Sequence, residues 1–324
     1  AKAADITAPA VFYGGWLDIF QQGTIEGFTS REYNGGEGAR GHNYLVMHWT
    51  PHISRIPMDY HPKAKNGMAV DVNKLQRAFF DCHLKGDDQA LKGMPKVQYF
   101  VMGDDTSPDA PGNEWRTAES WPPFAPVITP YYLHTDTALS TTKPSTESAS
   151  LDFCYDPNNP YPTQGGPNLY FNVPHGPQDQ RKFDQTRKDL LRFATAPLSE
   201  PVEVTGRVLV RLYVSSDAPD TDFTAKLIDI YPVGDARELN FLDGIQRVKC
   251  RTSFEKPEPP LTGLDQVVAL EIDLWSTSIV FDKGHKIGLH ISSSNYPRFE
   301  INPNTGADYP EPGKPMRVAR NRVH

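Results

Sequence analysis

Cysteine is scarce in this sequence, and long apolar runs and basic stripes are absent. The 324 residues include only 3 cysteines, Cys82, Cys154 and Cys250; their odd number and wide spacing exclude a disulfide framework or a zinc site, and we expect buried free thiols. No apolar run is long enough to span a membrane. The 40 acidic residues outnumber the 33 basic ones, so neither a membrane nor a nucleic acid is expected as a partner.

Alternating strand and helix patterns occupy the first part of the chain. Short apolar runs over residues 9–14, 43–49 and 97–102 predict buried parallel strands. A helix is expected from about Ile19 to Phe28. This order of elements is typical of an α/β domain, in which helices connect neighbouring parallel strands.

A second helix is predicted before the third of these strands. Its apolar residues recur at steps of three and four positions, which is the spacing of one buried helix face; they are Val72, Leu75, Phe79 and Cys82. Asp71 is expected to cap the start of this helix, and Gly86 is expected to mark its end.

The sequence pattern changes after Trp121-Pro122-Pro123. Apolar and polar residues alternate over residues 202–214, 268–274 and 287–291, and such alternation buries one face of each strand, as in a β-sandwich. We therefore expect an α/β domain over residues 1–125 and an all-β domain over residues 126–324. The Ser- and Thr-rich stretch 138–150 is expected to be a loop.

Asp18 stands at the end of the first predicted strand. A strand end holds a side chain in a fixed position, which the acid of a catalytic triad needs in order to orient its histidine. Asp is also a favoured helix N-cap, so the alternative is that Asp18 opens the helix predicted from Ile19. A histidine at the end of the next strand favours the catalytic interpretation.

That histidine is His52, which lies 34 residues after Asp18, with room for one helix and one strand between them. A triad histidine accepts the proton of the nucleophile and returns it to the leaving group. His48 competes for this role, but it lies within the predicted strand, where we expect its side chain to be packed. A metal site is a further alternative, with His48, His52, Asp59 and His61 as its ligands. The pair His48 and His52 could bind one metal ion together only on a helix, and Pro51 disfavours a helix there.

The nucleophile expected with this acid and this histidine is missing. In α/β-hydrolases the triad residues follow one another in the order Ser, Asp, His, and the serine lies in a G-x-S-x-G motif. That motif occurs nowhere in the sequence. The chain therefore has the acid and the base of a triad in the expected order, without the serine.

At these residues the chain resembles the CocE/NonD family of serine hydrolases, which includes cocaine-esterase-like enzymes, α-amino-acid ester hydrolases, glutaryl-7-ACA acylase-like proteins and X-Pro dipeptidyl peptidases. The similarity covers nearly the whole chain. In its first part the matching motifs are Gly15-Trp16-Leu17-Asp18, Trp49 to His52, Leu84-Lys85-Gly86, Met102-Gly103 and Trp121-Pro122-Pro123. In its second part they include Pro162-Thr163-Gln164-Gly165-Gly166, Asp222 to Leu227 and Ser292 to Phe299.

The resemblance implies the C-terminal part of an α/β-hydrolase fold followed by a jelly-roll β-sandwich of the X-Pro dipeptidyl peptidase C-terminal type. The implied activity is hydrolysis of a small-molecule ester or amide through an acyl-enzyme, with Asp18 and His52 catalytic and with no metal or organic cofactor. The serine is expected in a missing N-terminal hydrolase segment, so that the chain is a truncated or processed part of a longer protein. The sequence does not distinguish a cytoplasmic from a secreted or periplasmic location, and it leaves the oligomeric state open.

The residues after Asp18 differ between branches of this family. α-Amino-acid ester hydrolases place two carboxylates there to hold the ammonium group of the substrate, whereas this chain has Phe20 and Gln21. The resemblance to the esterase branch implies that Phe20 lines the acyl pocket, and Trp16 is a second candidate for substrate contact. Core packing is the alternative for both aromatic residues.

A non-catalytic function is the second hypothesis for the whole chain. Under this hypothesis, the protein is a β-sandwich module that binds carbohydrate or another ligand, and residues 1–125 are the remnant of a hydrolase that has lost its activity. The absent serine is the feature of the sequence that favours it.

Overall fold

The computed structural model describes residues 2–53, 56–145, 149–184 and 186–324. The first part of the chain forms a four-stranded sheet whose order follows the sequence; its strands are β1 (Val11–Gly15), β2 (Tyr44–His48), β3 (Val97–Val101) and β4 (Glu114–Ala118). β1, β2 and β3 are parallel, and β4 pairs with β3 in the antiparallel direction. The connecting helices are α1 (Gln21–Asn34) and α2 (Val72–Lys85). The three predicted parallel strands are confirmed.

α2 matches its sequence prediction, and α1 is longer than predicted. The Asp71 side chain accepts hydrogen bonds from two backbone N–H groups at the start of α2, and Gly86 ends the helix with a left-handed φ of 76°. α1 continues to Asn34 rather than ending at Phe28. The polar residues after Phe28 contain no glycine or proline, and Gly35 is the first residue that breaks the helix.

The second part of the chain is built almost entirely from β-strands. After the hairpin of β5 (Tyr132–Leu133) and β6 (Leu139–Ser140), the elements are β7 (Leu151–Tyr155), α3 (Arg181–Asp184), β8 (Leu191–Ala194), β9 (Val202–Ser216), β10 (Asp222–Ile230), β11 (Glu238–Arg247), β12 (Val268–Phe281), β13 (Lys286–Ser292) and β14 (Ala319–Val323). The strands β7 to β14 form two four-stranded antiparallel sheets, β11-β10-β13-β8 and β12-β9-β14-β7. The sheets pack face to face, with the rings of Phe153 and Phe223 6.0 Å apart between them.

The predicted period-two alternation is present in the long strands of this sandwich. In β9, Val210, Leu212 and Val214 are buried. Arg211, which lies between the first two of them, and Arg207, which precedes them, are exposed. The inward residues of both sheets belong to one core that also includes residues of the first sheet. Burial of this apolar surface is the main stabilising contribution to the fold.

The first sheet and the sandwich are joined directly through backbone and side-chain contacts. At the end of β3, the Met102 N–H donates to the Ser278 carbonyl at 2.9 Å, and the Val280 N–H donates to the Met102 carbonyl at 2.9 Å. Arg116 on β4 makes a forked ion pair with Glu203 on β9, with both contacts at 2.9 Å. The sandwich therefore lies against the end of β3 and against the edge strand β4.

Three smaller expectations have mixed outcomes. The cysteines are free, as predicted, but the expectation of burial is wrong: Cys154 is exposed, and Cys82 and Cys250 are half-buried. The stretch 138–150 contains the short strand β6, and residues 146–148 of that stretch lie outside the described residues. Among the described residues, no helix combines the length and the apolar character needed to cross a membrane.

Candidate functional site

The site lies where β1 and β2 end side by side. Beyond the last paired residues, the Trp16 N–H donates to the His48 carbonyl at 2.7 Å, and a turn closed by the Asp18 N–H on the Gly15 carbonyl at 3.2 Å brings Asp18 above the sheet. Only glycine fits at position 15, because a Cβ there would lie 2.0 Å from the Thr50 carbonyl oxygen. This close approach holds the chain after β2 next to the turn that carries Asp18.

Asp18 and His52 form a hydrogen-bonded pair. The Oδ2 atom of Asp18 lies 3.0 Å from Nδ1 of His52, and its Oδ1 atom accepts the Phe20 N–H at 2.9 Å. The carboxylate thus fixes the turn before α1 and binds the histidine at the same time. The expectation that Asp18 caps a helix beginning at Ile19 is wrong, because α1 begins at Gln21 and its N-cap is Phe20. A carboxylate on Nδ1 favours the tautomer whose proton is on Nδ1 and whose Nε2 is a base. The Asp18 side chain is 15% exposed and that of His52 is 42% exposed, so the His52 ring is open to an incoming group.

Phe20 lies on the open side of this pair. Its side chain is exposed, and its ring meets the His52 ring edge to face, with centroids 5.2 Å apart. Gln21, the next residue, is fully buried, and its side-chain amide donates to the Ser276 carbonyl of the sandwich. At the two positions where α-amino-acid ester hydrolases have carboxylates, Phe20 therefore faces the open surface and Gln21 makes an internal hydrogen bond.

Trp16 occupies the core below the site. It is only 1% exposed, and its Nε1–H donates to the Phe100 carbonyl at 2.6 Å. Its ring packs against that of Trp121, with centroids 5.4 Å apart. Both contacts are internal, so this residue supports the strand ends from inside the protein.

His48 is packed within aromatic side chains at the end of β2. Its ring lies 5.1 Å from that of Trp115 and stacks on that of Phe100 at 6.4 Å. Its Nδ1 atom accepts the Thr50 N–H at 3.3 Å, and burial lowers the pKa of His48. The surroundings therefore disfavour the charged form of His48 and hold its ring among aromatic side chains, whereas the His52 ring is exposed.

Three of the four residues considered as metal ligands have separate hydrogen-bond partners. The Asp59 carboxylate accepts the Asp179 N–H at 2.9 Å, His48 accepts the Thr50 N–H, and His52 is bound to Asp18. The described ranges contain no group of three or more His, Cys, Asp or Glu side chains arranged to hold a metal ion.

A loop of the sandwich reaches the same region, and the sequence did not predict it. Gly176 lies so close to the chain after His52 that a Cβ would be 2.3 Å from the Met58 sulfur and 3.5 Å from Leu17. The same loop exposes the apolar run Leu169-Tyr170-Phe171, whose last residue is 62% exposed. The Asn168 side chain holds this loop by donating to the Pro174 carbonyl at 2.9 Å. The sequence feature that could have indicated this loop is the run of three consecutive apolar residues between Asn168 and Asn172.

Comparison with known proteins places these features in a family context. The model of the X-Pro dipeptidyl-peptidase C-terminal non-catalytic domain matches residues 89–324. The chain is 37% identical over 337 aligned residues to the cocaine esterase of Rhodococcus sp. (strain MB1 Bresler), an alignment that covers 100% of this chain and 55% of that protein.

Solved structures with a similar fold include an α-amino acid ester hydrolase, with a TM-score of 0.76, 27% identity, and coverage of 98% of this chain and 53% of the other. A CocE/NonD family hydrolase from Staphylococcus aureus has a TM-score of 0.63 at 17% identity, covering 97% of this chain and 51% of its own, and its likeness shows the fold alone. The chain thus spans about half the length of the proteins that it matches.

Proposed function

Because the chain belongs to the family of the X-Pro dipeptidyl-peptidase C-terminal domain and is similar to a cocaine esterase, we propose that it is the C-terminal part of a serine hydrolase that cleaves a small-molecule ester or amide. The observation that carries this proposal is the hydrogen bond between Asp18 Oδ2 and His52 Nδ1, made at the ends of neighbouring parallel strands. An acid followed by a histidine in this order is the arrangement of the α/β-hydrolase triad.

In the proposed mechanism, the nucleophilic serine comes from a segment outside this chain. His52 Nε2 accepts the serine proton as the serine oxygen attacks the acyl carbon, and Asp18 stabilises the imidazolium that forms. His52 then gives this proton to the leaving alcohol or amine, which leaves an acyl-enzyme. A water molecule, deprotonated by His52, releases the acid and restores the serine. These steps use no metal or organic cofactor.

The fold proposed for the two parts follows from the same arrangement. We assign β1 to β4 with α1 and α2, over residues 1–125, to the C-terminal part of an α/β-hydrolase domain, and residues 126–324 to a jelly roll. Support comes from the parallel pairing of β1 to β3 and from the position of both proposed catalytic residues just beyond strand ends, where α/β folds carry their sites.

The proposed acyl pocket is apolar and lacks a partner for a cation at the positions after Asp18. Phe20, exposed beside the His52 ring, forms one side of it. Gln21 is uncharged and its amide is bound to Ser276, so no carboxylate follows Phe20 to hold an ammonium group. A neutral or acidic acyl group fits these side chains better than an α-amino acyl group.

Hydrolysis of a p-nitrophenyl ester by the protein that includes the upstream segment tests the proposal. His52→Ala should lower kcat roughly 10³-fold or more, because the serine loses its base. His42→Ala, at an exposed histidine that precedes the start of β2, is the control and should leave the rate unchanged. The non-catalytic hypothesis is favoured instead if the upstream segment has no serine motif, or if the His52 variant hydrolyses the ester as fast as the parent protein.

A further inference from the structure

Residues 57–61, which come shortly after His52 in the chain, are bound to the sandwich. The Gln178 side-chain amide donates to the Pro57 carbonyl at 3.0 Å, and the Asp59 N–H donates to the Pro177 carbonyl at 3.1 Å. The Asp59 carboxylate accepts the Asp179 N–H at 2.9 Å. Together these contacts, two with backbone groups of the segment and one with the Asp59 side chain, fix the path of residues 57–59.

Arg237, just before β11, holds this segment at two points. Its Nη1 donates to the Asp59 carbonyl, and its Nη2 donates to Asp105 Oδ1 at 2.9 Å. The other carboxylate oxygen of Asp105 accepts the His61 N–H at 2.7 Å. The Nε atom of Arg237 donates to Asp235 at 2.7 Å, which orients the planar guanidinium group. One side chain of the sandwich thus controls the backbone on both sides of Tyr60.

Tyr60 connects this anchored segment to the chain on the other side of His52. It is fully buried, and its ring lies edge to face with Phe241 of β11 at 5.0 Å and with Trp49 at 6.3 Å. Trp49 comes directly after β2, so the residues before and after His52 meet on the same tyrosine. A shift of residues 59–61 would therefore be transmitted to the position of the His52 ring.

We infer that Arg237 is a positioning residue for His52, an inference that rests on the proposed function. On one side of His52 the chain is fixed by β2 and by the contact between Gly15 and Thr50, and on the other side Arg237 fixes residues 59–61. Catalytic groups need to be held within about 0.5 Å of their productive geometry, and displacement by about 1 Å can cost roughly 100-fold in rate. Arg237 contacts no reacting atom in this arrangement and acts through residues 59–61.

Arg237→Met tests this inference, with Arg247→Met as a matched control. Arg247 ends the same strand, β11, at a distance of roughly 30 Å along it. Its side chain is 20% exposed against 21% for Arg237, and it also binds a carboxylate, Asp222, and a backbone carbonyl, that of Asp308. The two substitutions thus remove equivalent contacts, and only the first of them reaches residues 59–61.

In the protein that includes the nucleophile, Arg237→Met should lower kcat about 10- to 100-fold with KM changed less than twofold, and Arg247→Met should change neither. In this 324-residue chain, the Nδ1 ring proton of His52 should give a slowly exchanging NMR signal in the parent and in the Arg247 variant, and the signal should be lost in the Arg237 variant. A parent-like kcat and a parent-like ring-proton signal in Arg237→Met would overturn the inference.

Asp105→Asn decides the matter if Arg237→Met does not fold, because asparagine keeps the shape and the acceptor for the His61 N–H while it weakens the contact with Arg237. A fall in kcat at constant KM supports the positioning role, and a parent-like kcat overturns it. The ring-proton measurement needs no serine. If ester hydrolysis is absent from the parent protein, the proposed function fails, and the NMR comparison still tests whether Arg237 positions His52.

Discussion

Asp18 Oδ2 and His52 Nδ1 lie 3.0 Å apart although the two residues come from separate strand ends 34 positions apart in the chain. The remaining carboxylate oxygen is occupied by the Phe20 N–H. The acid therefore cannot rotate away from the histidine without giving up a backbone hydrogen bond. This arrangement holds the His52 imidazole in one orientation, which the proposed mechanism requires.

Asp18→Asn is expected to lower ester hydrolysis roughly 10³- to 10⁴-fold in the protein with its nucleophile, because the amide cannot stabilise the imidazolium or enforce the tautomer. The amide oxygen can still accept the Phe20 N–H, so the melting temperature should change little. Asp71→Asn is the matched control, since Asp71 also accepts backbone N–H groups before a helix and lies outside the site. Parent-like kinetics in the Asp18 variant would contradict its role as the acid.

Phe20→Ala should raise KM for esters of aromatic acids about fivefold, the equivalent of about 1 kcal/mol for an aromatic contact, with a smaller effect on acetyl esters. Phe80→Ala is the control, because Phe80 is 54% exposed on α2 and Phe20 is 56% exposed. Steady-state kinetics on a series of acyl groups gives the measurement. Equal KM changes for all acyl groups would show that Phe20 does not line the acyl pocket.

Gly15→Ala should destabilise the protein by about 1–3 kcal/mol, because the new methyl group collides with the Thr50 carbonyl oxygen and no flexible side chain can move aside. Gly23→Ala in α1 has open space around its Cβ and should instead stabilise the protein by about 0.5–1 kcal/mol. Urea unfolding of the two variants provides the comparison. If both variants are as stable as the parent, the approach of the Thr50 carbonyl oxygen does not require glycine at position 15.

A buried ionic cluster joins the first sheet to the sandwich near β13. His285 Nδ1 lies 2.8 Å from Asp229 of β10, and its Nε2 lies 3.5 Å from Asp104, which follows β3. Burial alone would lower the pKa of His285, but the hydrogen bonds to Asp104 and Asp229 outweigh burial and raise the pKa to about 10. Burial raises the pKa of Asp229 to about 6, so that carboxyl titrates at lower pH than its histidine partner.

This cluster predicts that stability falls as the pH rises above neutrality. The pKa of His285 in the folded protein lies above the value of about 6.5 in an unfolded chain, so its stabilisation is complete below pH 6.5 and is lost as the pH rises through 10. His285→Gln should therefore remove a slope of up to about 1 kcal/mol per pH unit between pH 7 and 10. Urea unfolding at several pH values checks this against His42→Gln, which should keep the parent slope; an unchanged slope in His285→Gln would contradict the prediction.

Much of the local structure could be predicted because local sequence determines it. The three parallel strands follow from short apolar runs, the capped helix α2 follows from Asp71 and Gly86, and the strands β9, β12 and β13 of the sandwich follow from period-two alternation. The length of α1 could not be predicted from apolar spacing alone, since its last residues are polar and their helical state depends on the absence of a breaker before Gly35.

The candidate site shows where sequence reasoning reaches its limit. The positions of Asp18 and His52 after predicted strands indicate them as candidates, and the structure brings them together. The sequence could not separate an exposed Phe20 from a buried Trp16, because both are large aromatic residues near a strand end and their exposure depends on tertiary packing. Arg237 carries no comparable sequence signal, since its contact with Asp59 joins residues 178 positions apart.

β14 is the last strand along the chain, yet it lies in the interior of its sheet, between β9 and β7. Its residues pair with 151–155 on one side and with 214–216 on the other, and it is the sole strand neighbour of β7 in the described part of the sheet. During synthesis, β7 therefore emerges long before its partner exists. The second sheet can close only after residues 319–323 have left the ribosome, and until then β7 exposes unpaired backbone groups that a chaperone could recognise.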